Sequence, residues 1–204
     1  QEIIDRQQTE NQGRAYGPKV PFPVVPIHHG SRLRLGDCEF LCIHTPGHTP
    51  GHTVLYLPEQ RLLFSGDHML FHITPNISMW DGMDDPLADY LNSLAMLRSL
   101  PVERVFPAHR QLEGDFYRRL EELRLHHEAR LDELYAAVRD NPGADGYTLA
   151  GCLSWSARGL GWDAFPPHQK WFAMGETLSH LRRLERMGRI VRRERDGTYS
   201  YNVT

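Results

Sequence analysis

The chain has 204 residues, with 40% hydrophobic and 24% charged side chains and a formal net charge of −3, an ordinary globular balance that excludes a disordered or fibrous polymer. That charge is too mild to imply a nucleic-acid or membrane surface spread over the whole chain, and no apolar run approaches the roughly 18 residues a membrane span requires. Cys38, Cys42 and Cys152 are odd in number and lack zinc-finger spacing, which fits a reducing, cytoplasmic setting better than a disulfide framework. Cys38 and Cys42 lie about 13 Å apart along one face of a strand at roughly 3.3 Å per residue, too far to be bonded, and are expected to be small buried hydrophobes.

Residues 1–16 are polar, with Ile3 and Ile4 as the large aliphatics, and suggest the end of a helix entering a loop. Pro18, Pro21, Pro23 and Pro26 then prevent regular structure across Lys19–Ile27. Leu33 and Leu35 alternate with Arg32 and Arg34, and Gly36-Asp37 make a turn into the apolar run Cys38–Ile43, so a hairpin is expected. It leads into Thr45-Pro46-Gly47-His48-Thr49-Pro50-Gly51-His52-Thr53, a loop stiffened by proline and folded by glycine, before the strand Val54–Leu57.

A further strand, Arg61–Phe64, delivers Asp67, and an irregular run, Thr74–Trp80, follows it. Asp85 caps a helix with Pro86 at its first position and an apolar stripe of Leu87, Tyr90, Leu91, Leu94 and Leu97. Val102–Phe106 is a strand ending at Pro107-Ala108-His109, and the spacing of Phe116, Leu120, Leu123, His127, Leu131, Leu134 and Val138 predicts a long helix near 115–139. Asn141-Pro142-Gly143 marks a boundary between domains 1–140 and 141–204. The tail predicts a short helix over Tyr147–Trp155, a loop over Gly159–Pro167, a helix over Ala173–Met187 with Leu178, Leu181, Leu184 and Met187 inward, and a hairpin about Asp196-Gly197.

The ordered segments His48-Thr49-Pro50-Gly51-His52, Phe64-Ser65-Gly66-Asp67 and Phe106-Pro107-Ala108-His109 resemble the third, fourth and fifth motifs of metallo-β-lactamase-fold hydrolases, with Ala108 where the fifth motif usually has glycine. The tail resembles the winged-helix domain of the lactamase-β-like branch. The resemblance implies an α+β fold: the second half of an αβ/βα sandwich followed by a small winged-helix domain. The family's first motif, His-x-His-x-Asp-His, is absent and the chain starts at Gln1. The expectation is therefore the C-terminal portion of a longer enzyme, inactive alone, with any targeting signal elsewhere.

By the same resemblance, His48 and His109 are ligands of two divalent metals, zinc first with manganese or iron as alternatives, and Asp67 bridges them as the catalytic carboxylate. The implied function is hydrolysis of an ester, thioester, lactone or phosphodiester by a metal-bound hydroxide. The alternative is a nucleic-acid-binding winged helix on a degenerate hydrolase fold.

His52 and His68 are expected behind the ligands or in the core, His72 either behind the ligands or, with Asn76 and Trp80, at the substrate cleft, His44 in a structural role, and His127 packed on its helix. His28 and His29 belong to a solvated loop. Nine Lys and Arg against six Asp and Glu over residues 143–204 leave +3 there and −6 on the other 142 residues. The cluster Arg182, Arg183, Arg186, Arg189, Arg192, Arg193 and Arg195 is therefore assigned to packing or oligomerisation ahead of RNA binding. Strands around Phe40, Leu55 and Leu63 are expected to expose an apolar face that a second copy or the absent half covers. The remaining expected partner is a small-molecule substrate.

Overall fold

A computed structural model describes residues 20–110, 112–155 and 161–204. The helix end expected over 1–16, the first residues of the proline-rich loop, and the start of the Gly159 loop lie outside the described residues. Five strands form one sheet in the order β1 (Arg32–Leu35), β2 (Cys38–His44), β3 (Thr53–Leu57), β4 (Leu62–Gly66) and β5 (Arg104–Pro107). The first three pairings are antiparallel, and β4 and β5 are parallel, joined by helix α1 (Pro86–Arg98). Two reversals leave β2, β4 and β5 pointing the same way, so their C-terminal ends share one edge of the sheet. His48, Asp67 and His109 follow those three ends.

Helix α2 (Phe116–Asp140) buries all seven predicted stripe residues. Beyond it come α3 (Gly146–Gly151), a 3₁₀ turn (Trp162–Ala164), α4 (Pro167–Arg186) and the hairpin β6 (Ile190–Arg195)–β7 (Thr198–Val203). The mixed sheet-and-helix architecture is an α+β fold, and the tail has the expected order of helix, helix and hairpin. Asp196 and Gly197 both take positive φ at the hairpin turn, as a two-residue primed turn demands. One contiguous cluster of buried side chains runs from Ile43 on the sheet through Leu134 and Leu181 to Tyr201 on the hairpin.

Several expectations are corrected. Helix α4 starts six residues before Ala173, because Pro167 takes the first helical position and its missing N–H costs nothing there. Met187 is exposed because it caps the C-terminus of α4 instead of extending its inward stripe, and Leu178 is only half-buried. Cys38 is exposed, since it pairs with Leu35 at the turn end of the first hairpin, whereas Cys42 is fully buried. Leu63 is fully buried on the helix-covered side and Phe40 is buried. On the opposite face the register aligns Leu35, Phe40, Leu55 and Phe64, of which Leu35 and Phe64 are exposed, and Phe64 is stacked on Phe106 with ring centroids 4.9 Å apart. Ala108 needs no positive φ and donates its N–H to Gly66 O at 3.0 Å. No described helix is long and apolar enough to cross a membrane.

Candidate functional site

The loop between β2 and β3 is seated by glycine. Gly47 has φ +132°, and a Cβ there would lie 2.5 Å from Tyr90 Cα, so the loop presses directly on the backbone of α1. Ser93 Oγ donates to Pro46 O (3.0 Å), Thr45 N donates to His52 O (2.8 Å), and His44 Nε2 bonds Pro50 O (2.8 Å). These contacts leave little freedom to His48. Its Nδ1–H donates to Asn76 O at 2.9 Å, which fixes the tautomer and leaves Nε2 with a lone pair. A ring held in this way by a backbone carbonyl is the usual arrangement of a metal-ligating histidine.

Asp67 follows Gly66, whose φ of +53° turns the chain off β4. Its Oδ2 lies 3.9 Å from His48 Nε2, and its Oδ1 lies 3.1 Å from His109 Nε2. The second distance does not correspond to a hydrogen bond: Oδ1 is buried with no hydrogen-bond partner. The structure thus brings together the three side chains singled out from the sequence, with a carboxylate between two imidazoles. Among the described residues, however, no group of three or more His, Cys, Asp or Glu side chains is placed to hold a metal ion. The donor chemistry of two imidazoles and an unpartnered carboxylate oxygen fits shared ligands of divalent ions; it does not form a complete shell.

His52 and His68 line up behind this trio. His52 Nδ1 meets Thr45 Oγ1 at 2.8 Å, its other ring nitrogen faces Gly66, and its ring stands 6.2 Å from that of His48. Burial, reinforced by the neighbouring His48, lowers its pKa to about 4. His68 is fully buried between His52 and Tyr90, and burial holds it neutral. His72 is exposed and does not line the cavity beside His48, whereas Asn76 and Trp80 do.

That cavity, about 560 Å³, was not anticipated in its composition. One wall is the run Asn76–Trp80, and the other is Tyr147 with Trp171, Phe172, Met174 and Leu178. The two walls are tied together: Asn76 Nδ2 donates to Phe172 O (3.0 Å) and Ser179 Oγ to Ile77 O (2.6 Å). Trp80 Nε1 donates to His48 O at 2.9 Å. Gly175 lets the walls close, since a Cβ there would sit 3.0 Å from Ser78 Cβ. The signal that could have found the second wall was Pro166-Pro167 taken as a helix start, which places Trp171 and Phe172 on α4.

Comparison with known proteins bears on this geometry. A family model described as metallo-beta-lactamase superfamily matches residues 2–109, and one described as metallo-beta-lactamase-like, C-terminal domain, matches residues 163–204. Lactamase-like protein aptB of Emericella nidulans is 28% identical over 118 residues, 58% of this chain and 36% of that protein. Atrochrysone carboxyl ACP thioesterase of Aspergillus fumigatus is 30% identical over 108 residues, 53% of this chain and 24% of that protein.

The crystal structure of a beta-lactamase domain protein from Burkholderia ambifaria superposes on all of this chain with TM-score 0.85 and 28% identity, covering 58% of that chain. A metallo-beta-lactamase family protein from Thermus thermophilus gives 0.77 and 26% over 97% of this chain and 64% of that one. The chain therefore spans about a quarter to a third of those two sequence relatives and about three fifths of those two structures. With the sheet edge, the ordered motifs and a family model covering more than half its length in agreement, the chain belongs to the metallo-β-lactamase superfamily.

Proposed function

We propose that this chain carries part of the site of a binuclear metal-dependent hydrolase, acting on an ester, thioester, lactone or phosphodiester. The observation that carries the reading is Asp67 Oδ1, buried without a hydrogen-bond partner and set against His109 Nε2, with His48 Nε2 facing the other oxygen. His48 and Asp67 would contribute to one metal position and Asp67 and His109 to the other. Bound zinc, or manganese or iron in its place, supplies Lewis acidity and an activated water.

The chain's own contribution is orientation and environment. Asn76 O holds the His48 ring, Trp80 Nε1 donates to the loop backbone at His48 O, and the cavity offers an apolar lining to a bound substrate. The thioesterase among the relatives makes acyl substrates the leading class. Three unpaired cysteines fit action in a reducing, cytoplasmic compartment.

A nucleic-acid-binding winged helix is the second reading, and the arginines favour structural use over it. Arg182 pairs with Asp84 and Glu185, Arg183 with Asp85, Arg186 with Asp84 and Arg189 with Asp132. The test is turnover by the full-length metal-loaded protein of a thioester, a lactone and a single-stranded RNA. Hydrolysis abolished by a chelator and by Asp67→Ala is expected; activity indifferent to both overturns the assignment.

A further inference from the structure

We propose that helix α4 is a wall of the substrate site, and that the cavity beside His48 receives the apolar acyl group of an ester or thioester. This rests on the hydrolase reading above and adds the substrate's shape. The cavity is continuous with the site, because His48 itself lines it. Its volume of about 560 Å³ falls within the roughly 300–1,000 Å³ of small-molecule sites.

The walls are chemically uniform. Met79 and Trp80 face Trp171, Phe172 and Leu178. The ammonium of Lys170 is drawn onto Tyr147 Oη (3.1 Å) and lies over the Tyr147 and Trp162 rings, so it does not present a free cation to the cavity. Trp171 and Phe172 are 48% and 54% exposed. Large aromatic side chains left half in solvent beside a reactive centre gain by covering an apolar ligand.

An acyl chain lodged there would place its carbonyl toward His48 and Asp67. In hydrolysis the bond from the acyl carbon to sulfur or oxygen breaks, and the oxygen of water ends on that carbon. One proton leaves with the thiol or alcohol and the other with the carboxylic acid, so water is the only co-reactant.

The full-length zinc-loaded protein is assayed on acetyl and octanoyl thioesters of one thiol, and octanoate binding to the metal-free protein is followed by tryptophan fluorescence. We expect octanoyl to exceed acetyl in kcat/KM by at least about tenfold, since each buried methylene favours transfer from water. Trp171→Ala, Phe172→Ala and, on the opposite wall, Met79→Lys should each bring the ratio to within about threefold and weaken octanoate binding. All three positions are substantially exposed, so the variants keep their circular dichroism.

Octanoate binding that depends on Trp171, with no thioester, ester, lactone or RNA turned over, retains the acyl cavity and sinks the hydrolase reading. Hydrolysis with equal rates for both acyl groups, unmoved by the three substitutions, retains the hydrolase and overturns the cavity assignment. Cleavage confined to RNA overturns it as well.

Discussion

A carboxylate oxygen buried without a partner costs about 1–3 kcal/mol, and Asp67 Oδ1 is in that position. A residue that destabilises its own fold invites a functional account, and this one gives a paired prediction. Asp67→Ala should abolish hydrolysis by the full-length protein while raising the melting temperature in chelator, as happens where site and stability compete. Calorimetry beside a turnover assay checks it; a lower melting temperature would mean that Asp67 is a structural anchor. A second prediction concerns Gly47, where both a positive φ and the backbone of Tyr90 exclude a side chain. Gly47→Ala should cost on the order of 2–4 kcal/mol, because backbone atoms cannot step aside as a flexible side chain can. Urea denaturation of the variant measures it, and a loss under about 1 kcal/mol would show that the loop can lift off α1 at little cost.

The convergence of His48, Asp67 and His109 was legible because each follows a strand end within a recognisable motif. The placement of His72 was not, because the path of the irregular run after β4 depends on distant partners. Arg119, from α2, donates to Leu70 O at 2.7 Å and to Ile73 O at 3.0 Å.

At the scale of elements, α1 and α4 meet through charge and capping together. Asp85 caps α1 by accepting from Ala88 N at 3.0 Å, and its other oxygen lies 3.2 Å from Arg183 Nη1. Asp85→Ala should therefore destabilise by about 1 kcal/mol through the cap, and Arg183→Ala by less, because such partly exposed pairs contribute roughly 0–1 kcal/mol. A double-mutant cycle read by urea denaturation separates the two; equal losses from both single variants would show that the cap is not the larger effect.

The period of α2 was legible throughout because its apolar residues recur at threes and fours along 25 residues. The start of α4 was not, since Pro166-Pro167 reads equally as a loop or as a helix N-terminus, and only packing against Asn76–Ser78 decides between them. The burial of Leu63, with Phe64 exposed beside it, followed from register: alternation puts neighbours on opposite faces, and which face the helices cover is settled by tertiary structure.

For the molecule as a whole, a buried polar column at the junction of α2 and α4 sets the response to acid. His180 Nδ1–H donates to Glu176 O (2.8 Å), leaving Nε2 to accept from His127 Nδ1–H at 3.1 Å. Burial lowers the His180 pKa from 6.5 to about 3, and burial with His180 beside it holds His127 well below 6.5. Both imidazoles take up protons on unfolding, so their contribution to stability is lost as pH falls below 6.5.

Glu176 works in the opposite sense. Burial raises its carboxyl from 4.5 to about 7 despite Arg130 Nε at 3.6 Å. The folded chain then holds a proton that the unfolded carboxylate has released, so this contribution is complete below 4.5 and lost as pH rises toward 7. Between 6.5 and 4.5 Glu176 offsets one imidazole, whereas below 4.5 it is protonated in both states and offsets nothing.

Glu176→Gln removes the offset and leaves in place the histidines and Arg130, whose Nη1 also pairs with Glu133 at 2.6 Å. Relative to the parent, the variant should lose about 1.4 kcal/mol of stability per pH unit as pH falls from 6.5 to 4.5, with a constant difference below that. Urea unfolding at half-unit intervals of pH measures it, and taking the difference between the two proteins cancels the exposed carboxylates common to both. A difference that stays flat from pH 6.5 to 4.5 would mean that Glu176 is ionised in the fold, with the Arg130 guanidinium prevailing over its burial.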